Sequence, residues 1–191
     1  KFINQSINLN RDVLSYRRTL FEIIFFSIIC FTLPFVLVHP QWAIGTIVNA
    51  ILFRVAITQK GWKYILPVVI LPNLGVISAG IIFGAPSIML FLFAPLIWIG
   101  NFSYILFNKY LILQRKINVG LGLAGASVIK FAILFTSALI AVFILGLPSV
   151  LLFPMGPLQI ATALMGGTLA ISYQEIENKF FSKKRVLKGK L

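Results

Sequence analysis

The chain of 191 residues is 59% hydrophobic and only 11% charged, whereas an ordinary soluble domain carries about 25% charge. With a mean hydropathy of +0.99 and 18 phenylalanines, its helices are apolar on most sides, which suits contact with lipid rather than water. One cysteine, Cys30, and one histidine, His39, exclude a disulfide framework, an iron–sulfur cluster and a multi-histidine metal or haem site. The four acidic residues, Asp12, Glu22, Glu175 and Glu177, are too few for a two-metal centre or a glycosidase carboxylate pair.

Apolar runs and their breakers predict six spans: Phe21–Val38, Gln41–Ile57, Trp62–Gly84, Pro86–Phe107, Val119–Leu145 and Leu151–Tyr173. The first two are short and are separated only by the His39-Pro40 turn, which predicts an antiparallel hairpin. The expected fold is therefore all-α, a single polytopic membrane domain of six transmembrane helices over residues 1–191, with a basic tail at 174–191.

Basic residues set the expected orientation, since short cytoplasmic loops retain lysine and arginine. Lys1, Arg11, Arg17 and Arg18 precede the first span, Lys60 and Lys63 follow the second, and Lys109, Arg115 and Lys116 follow the fourth. Six more lie between Lys179 and Lys190, after the sixth span. The alternate turns, around His39-Pro40, Gly84-Ala85-Pro86 and Leu147–Phe153, carry none. This pattern predicts both termini in the cytoplasm and a multi-pass location in the cell's inner (plasma) membrane. The net charge of +13 is spread along one membrane face and does not interleave with aromatics on a soluble surface, so no nucleic-acid partner is expected. The basic tail reads as a topology determinant resting on anionic headgroups of the bilayer.

Two cations fall within the predicted spans. Arg54 lies about 20 Å down its helix from Gln41, near the cytoplasmic boundary, where it can snorkel or meet a ligand or partner. Lys130 sits near the middle of the fifth span, a position that costs about 2.5–3.5 kcal/mol on insertion. It either snorkels toward Glu22 or faces a polar cavity and meets an anionic group. Amides recur at depth: Asn49, Asn73, Asn101 and Gln159, one in each of four spans. Each alone reads equally as interhelical glue. Counting from the outer turns gathers His39, Gln41, Trp42, Asn49, Asn73 and Gln159 in the outward half and leaves Asn101 and Arg54 in the inner half. Amides around an aromatic ring are suited to an uncharged or zwitterionic small solute.

Pro67 and Pro72 remove backbone bonds from the third span and predict a kink or break that can shape a pocket, with Asn73 as a local partner for freed carbonyls. Phe153-Pro154-Met155-Gly156-Pro157 predicts a non-helical opening to the sixth span, placed to act as a lid or plug. Small residues at four-residue spacing, as in Gly75-xxx-Ala79, Gly122-xxx-Ala126 and Thr162-xxx-Gly166-xxx-Ala170, predict close helix approach. No Walker A, His-Glu-x-x-His, dinucleotide or serine-nucleophile motif occurs, and Ser127 and His39 are expected at opposite sides of the membrane. The expectation is a protein that is not an enzyme and carries no cofactor or metal.

Six spans in about 190 residues, both termini inside, polar groups gathered toward the outside and no energy-coupling machinery resemble the substrate-binding S component of an energy-coupling factor (ECF) transporter or a related six-helix membrane family. His39-Pro40-Gln41-Trp42, Ile47-Val48-Asn49-Ala50, Leu71-Pro72-Asn73-Leu74-Gly75, Ile99-Gly100-Asn101 and the run Leu158–Gly167 add to the resemblance. The resemblance covers roughly residues 39–170. It implies capture of a small organic solute such as a vitamin or vitamin precursor from outside. Docking on a transmembrane coupling subunit and its cytoplasmic ATPases would follow. The solute contacts expected are His39, Gln41, Trp42, Asn49, Asn73 and Gln159, with Lys130 toward an anionic group. The alternative is a non-catalytic structural or assembly subunit of a larger membrane complex, in which these polar residues only hold helices together.

Overall fold

The computed structural model describes residues 2–37, 40–58, 65–80 and 87–188, without side-chain placement for 2–15, 41, 87–90 and 178–188. The described residues are all-α. Six main helices, α1 (Phe2–Val36), α2 (Gln41–Thr58), α3 (Leu66–Ala79), α4 (Ser87–Asn108), α5 (Val119–Phe143) and α7 (Pro157–Lys188), are joined by a one-turn helix, α6 (Leu152–Met155).

Among the described residues, four stretches are long and apolar enough to cross a membrane: Tyr16–Val36, Phe91–Gln114, Val119–Phe143 and Ser149–Glu177. The segments expected as the second and third spans are shorter apolar helices. Pro67 stands in the first turn of α3, where its missing N–H costs nothing. Pro67 starts the helix rather than breaking it. Pro72 lies within α3, and the helix continues through it. Two other boundaries differ from those expected. Helix α1 begins well before Phe21, and α7 continues past Tyr173, so the described part of the basic tail is helical through Lys188. At the end of α4 the chain widens into a π-helical turn, Lys109–Gln114. Asn118 then caps α5 by accepting a hydrogen bond from the Gly120 amide at 2.9 Å.

Helix α2 forms the centre of the core, with Leu52, Phe53, Val55 and Ala56 fully buried. It packs chiefly on α7, while α1 packs on α3 and α4 on α5. Helices α1 and α2 therefore make little contact with each other, unlike a packed antiparallel hairpin. Small residues permit the tightest approaches. A Cβ on Gly75 would collide with the Phe31 carbonyl oxygen, and one on Gly166 with the Thr46 carbonyl oxygen and, at 2.7 Å, the Ala50 amide nitrogen. These two glycines fix α3 against α1 and α7 against α2, as the small-residue spacing predicts. Large apolar side chains such as Phe21, Ile24, Phe143 and Leu169 lie on the outside, where hydrocarbon rather than water is their natural neighbour.

Candidate functional site

A cavity of about 120 Å³ lies among α2, α3, α4, α5, α6 and α7. No described side chain of α1 lines it. Its polar wall is made by Asn49, Asn73, Asn101, Lys130, Gln159 and Thr162. Val48, Val76, Ile97 and Leu158 supply much of the apolar remainder.

Depth along the helices orders these groups. Gln159 and Thr162 lie in the first two turns of α7, and Asn73 lies six residues before the end of α3. Lys130 lies 13 residues before the end of α5, and Asn101 lies 14 residues after the start of α4. At 1.5 Å per residue both are about 20 Å from those helix ends, and they form the floor. Pro154 and Met155 of α6 are buried and line the other end. The segment expected as a lid or plug thus forms a one-turn helix against the cavity.

Lys130 is the central polar group. It is 2% exposed, and its Nζ donates to Asn49 Oδ1 at 2.6 Å while lying 5.4 Å from the Tyr104 ring centroid. Asn49 Nδ2 donates in turn to the Gly45 carbonyl at 2.8 Å and to Thr162 Oγ1 at 3.2 Å. Thr162 Oγ1 donates to the Leu158 carbonyl at 2.8 Å. One polar chain thus links α5, α2 and α7 inside an apolar bundle, where such bonds are shielded from competing water. No described carboxylate pairs with Lys130. Glu22, weighed as its partner from the sequence, instead meets Arg18 Nε at 3.2 Å.

Asn101 Nδ2 approaches the Val69 carbonyl oxygen at 3.4 Å, tying α4 to α3 just before Pro72. Asn73 is 4% exposed, and its Oδ1 is buried without a hydrogen-bond partner among the described residues. Four other buried side-chain atoms share that state, on Ser27, Thr46, Trp98 and Asn108. None of those residues lines the cavity. Asn73 is the one whose unmet hydrogen-bonding capacity belongs to a cavity-wall residue.

The structure brings together four residues expected at the site: Asn49, Asn73, Gln159 and Lys130. It does not place Trp42 there. Trp42 is half exposed, and it precedes Asn49 by seven residues, about 10 Å of helix rise. Helical side chains also lean toward the N-terminus, which carries the indole farther from the cavity. His39 lies outside the described residues, as does the side chain of Gln41. Asn101 and Thr162 are cavity residues that sequence reasoning left out.

Arg54 has its own partner. Its Nη1 meets Glu177 Oε2 at 2.9 Å, and the guanidinium carbon lies 5.8 Å from the Tyr173 ring centroid. This pairing fastens α2 to the extension of α7 and is separate from the cavity. Among the described residues no three histidine, cysteine, aspartate or glutamate side chains gather as a metal site would require. No protein-family model, curated protein or solved structure matches the chain.

Proposed function

We propose that the chain is the small-solute-binding membrane subunit of an ECF-type uptake transporter. The observation that carries this reading is the cavity, on whose wall amides and a lysine from five separate helices converge. Polar groups inside a membrane bundle are costly. Asn49 and Thr162 bond with one another, but the Asn73 carbonyl oxygen lacks a partner among the described residues, a poor arrangement for glue and a useful one for holding a solute.

In this reading all six main helices cross the inner (plasma) membrane and both termini are cytoplasmic. The end bearing Gln159 and α6 faces outward, because the connections at that end contain no lysine or arginine. A solute of vitamin or precursor type enters past α6 and meets Asn73, Gln159 and Lys130. The chain has no nucleotide-binding motif, so the energy for release comes from a coupling subunit and two ATPases docked from the cytoplasm.

Native mass spectrometry of the full chain extracted in mild detergent tests this directly. A stoichiometric small molecule, together with an ATPase module in the gentlest extracts, is the expected result. Stable protein partners with neither solute nor ATPase would favour the structural-subunit alternative.

A further inference from the structure

We propose that the solute is a small monocarboxylate of about one ring's size that also carries an N–H or O–H donor, with its carboxylate on Lys130 and its donor on Asn73. This inference rests on the solute-binding reading above and narrows it from any small nutrient to one chemical class.

The charge argument begins with Lys130. An ammonium has three N–H donors, and Asn49 Oδ1 takes one of them. The other close neighbour is the face of Tyr104. A neutral amide and an aromatic ring stabilise a cation without neutralising it, and a buried charge without a counter-ion is strongly disfavoured. A solute carboxylate provides both the opposite charge and acceptors for the remaining donors. Lys130 is the sole cationic side chain among the described residues of the cavity wall, which matches one negative charge. A phosphate, bearing close to two charges, would be left half compensated in this setting.

Size sets the second limit. A cavity of about 120 Å³ is close to the roughly 150 Å³ cavity that accepts benzene in an engineered protein core. The solute body is therefore a single five- or six-membered ring or a branched chain of similar bulk, lying against Val48, Val76, Ile97 and Leu158. The third requirement comes from Asn73, whose buried Oδ1 lacks a donor among the described residues. An N–H or O–H on the solute satisfies it.

The test uses the full chain in detergent and matched probes whose binding is read by isothermal titration calorimetry. Pyrrole-2-carboxylate has the required charge, ring and N–H donor; pyrrole-2-carboxamide keeps the shape and donor but is neutral; indole-2-carboxylate keeps the charge and adds a fused ring. The expected result is binding of pyrrole-2-carboxylate about tenfold or more tighter than the carboxamide or the indole acid, the scale of one charge-assisted hydrogen bond. Lys130→Gln, which can still donate to Asn49, should abolish the preference for the acid over the amide. Equal binding of acid and amide to the wild-type chain would overturn the proposal without needing any variant to fold, while leaving solute binding intact. A retained native solute that is neutral or much larger than one ring would do the same, whereas a retained ring-sized carboxylate would support it. Failure to bind all three probes, combined with no retained small molecule, would overturn both this proposal and the solute-binding reading.

Discussion

Replacing Asn49 with alanine removes the acceptor that holds Lys130 and the donor that reaches Thr162. An ordinary interhelical hydrogen bond in a membrane is worth about 0.6 kcal/mol. A hydrogen bond to a charged group contributes about 1.5–3 kcal/mol, and leaving the charge buried without its partner adds to the loss. Asn49 and Lys130 are each only 2% exposed, so solvent replaces little of what is removed. Asn49→Ala should therefore destabilise the bundle by about 3 kcal/mol. The double variant Asn49→Leu with Lys130→Met exchanges the polar pair for apolar bulk and should recover most of that loss. Reversible unfolding in mixed micelles at increasing denaturing-detergent fraction gives the free energies of the wild-type chain and these two variants. A single-variant loss near 0.6 kcal/mol, or a double variant no more stable than Asn49→Ala, would refute the view that Lys130 is a buried cation held by Asn49.

Gly166→Val places methyl groups where Thr46 and Ala50 backbone atoms of α2 now lie; a loss of about 1–3 kcal/mol is expected in the same unfolding assay, and an unchanged midpoint would contradict the close approach of α7 and α2. Arg54→Gln and Glu177→Gln should each cost about 1 kcal/mol, because the pair is 18% and 24% exposed and partly screened. Their double variant should cost little more than either one, as measured by a thermal-melting cycle. Gln159→Ala, at the cavity wall, should weaken solute binding about fivefold, the value of one neutral hydrogen bond, with the melting temperature in the absence of solute nearly unchanged.

The helical class and the rough placement of the apolar segments were legible because hydropathy reports directly on what a bilayer tolerates. Helix ends were less so. Charge density after Tyr173 reads as a tail, yet α7 continues, and the extension brings Glu177 to Arg54; no local pattern specifies that long-range pair. The cavity was legible where amides and a cation interrupt apolar runs, as at Asn49, Asn73, Lys130 and Gln159. Dividing depth into outward and inward halves leaves Asn101 outside the predicted site. Counting its distance from the same helix ends as Lys130 would have placed both on one level. In the sequence Thr162 reads only as a small packing residue, although its hydroxyl accepts from Asn49. Trp42 shows the opposite failure, since sharing a segment with Asn49 does not give an aromatic side chain the same surroundings.

The most direct test of the central claim compares native mass spectra of the wild-type chain and Val76→Phe, a substitution that adds a ring to the cavity wall without altering any hydrogen-bonding group named above. The account predicts a stoichiometric small-molecule adduct on the wild-type chain and its loss from Val76→Phe, with both proteins folded by circular dichroism. An adduct kept by both proteins, or found on neither, would contradict the assignment of this cavity as a solute-binding site.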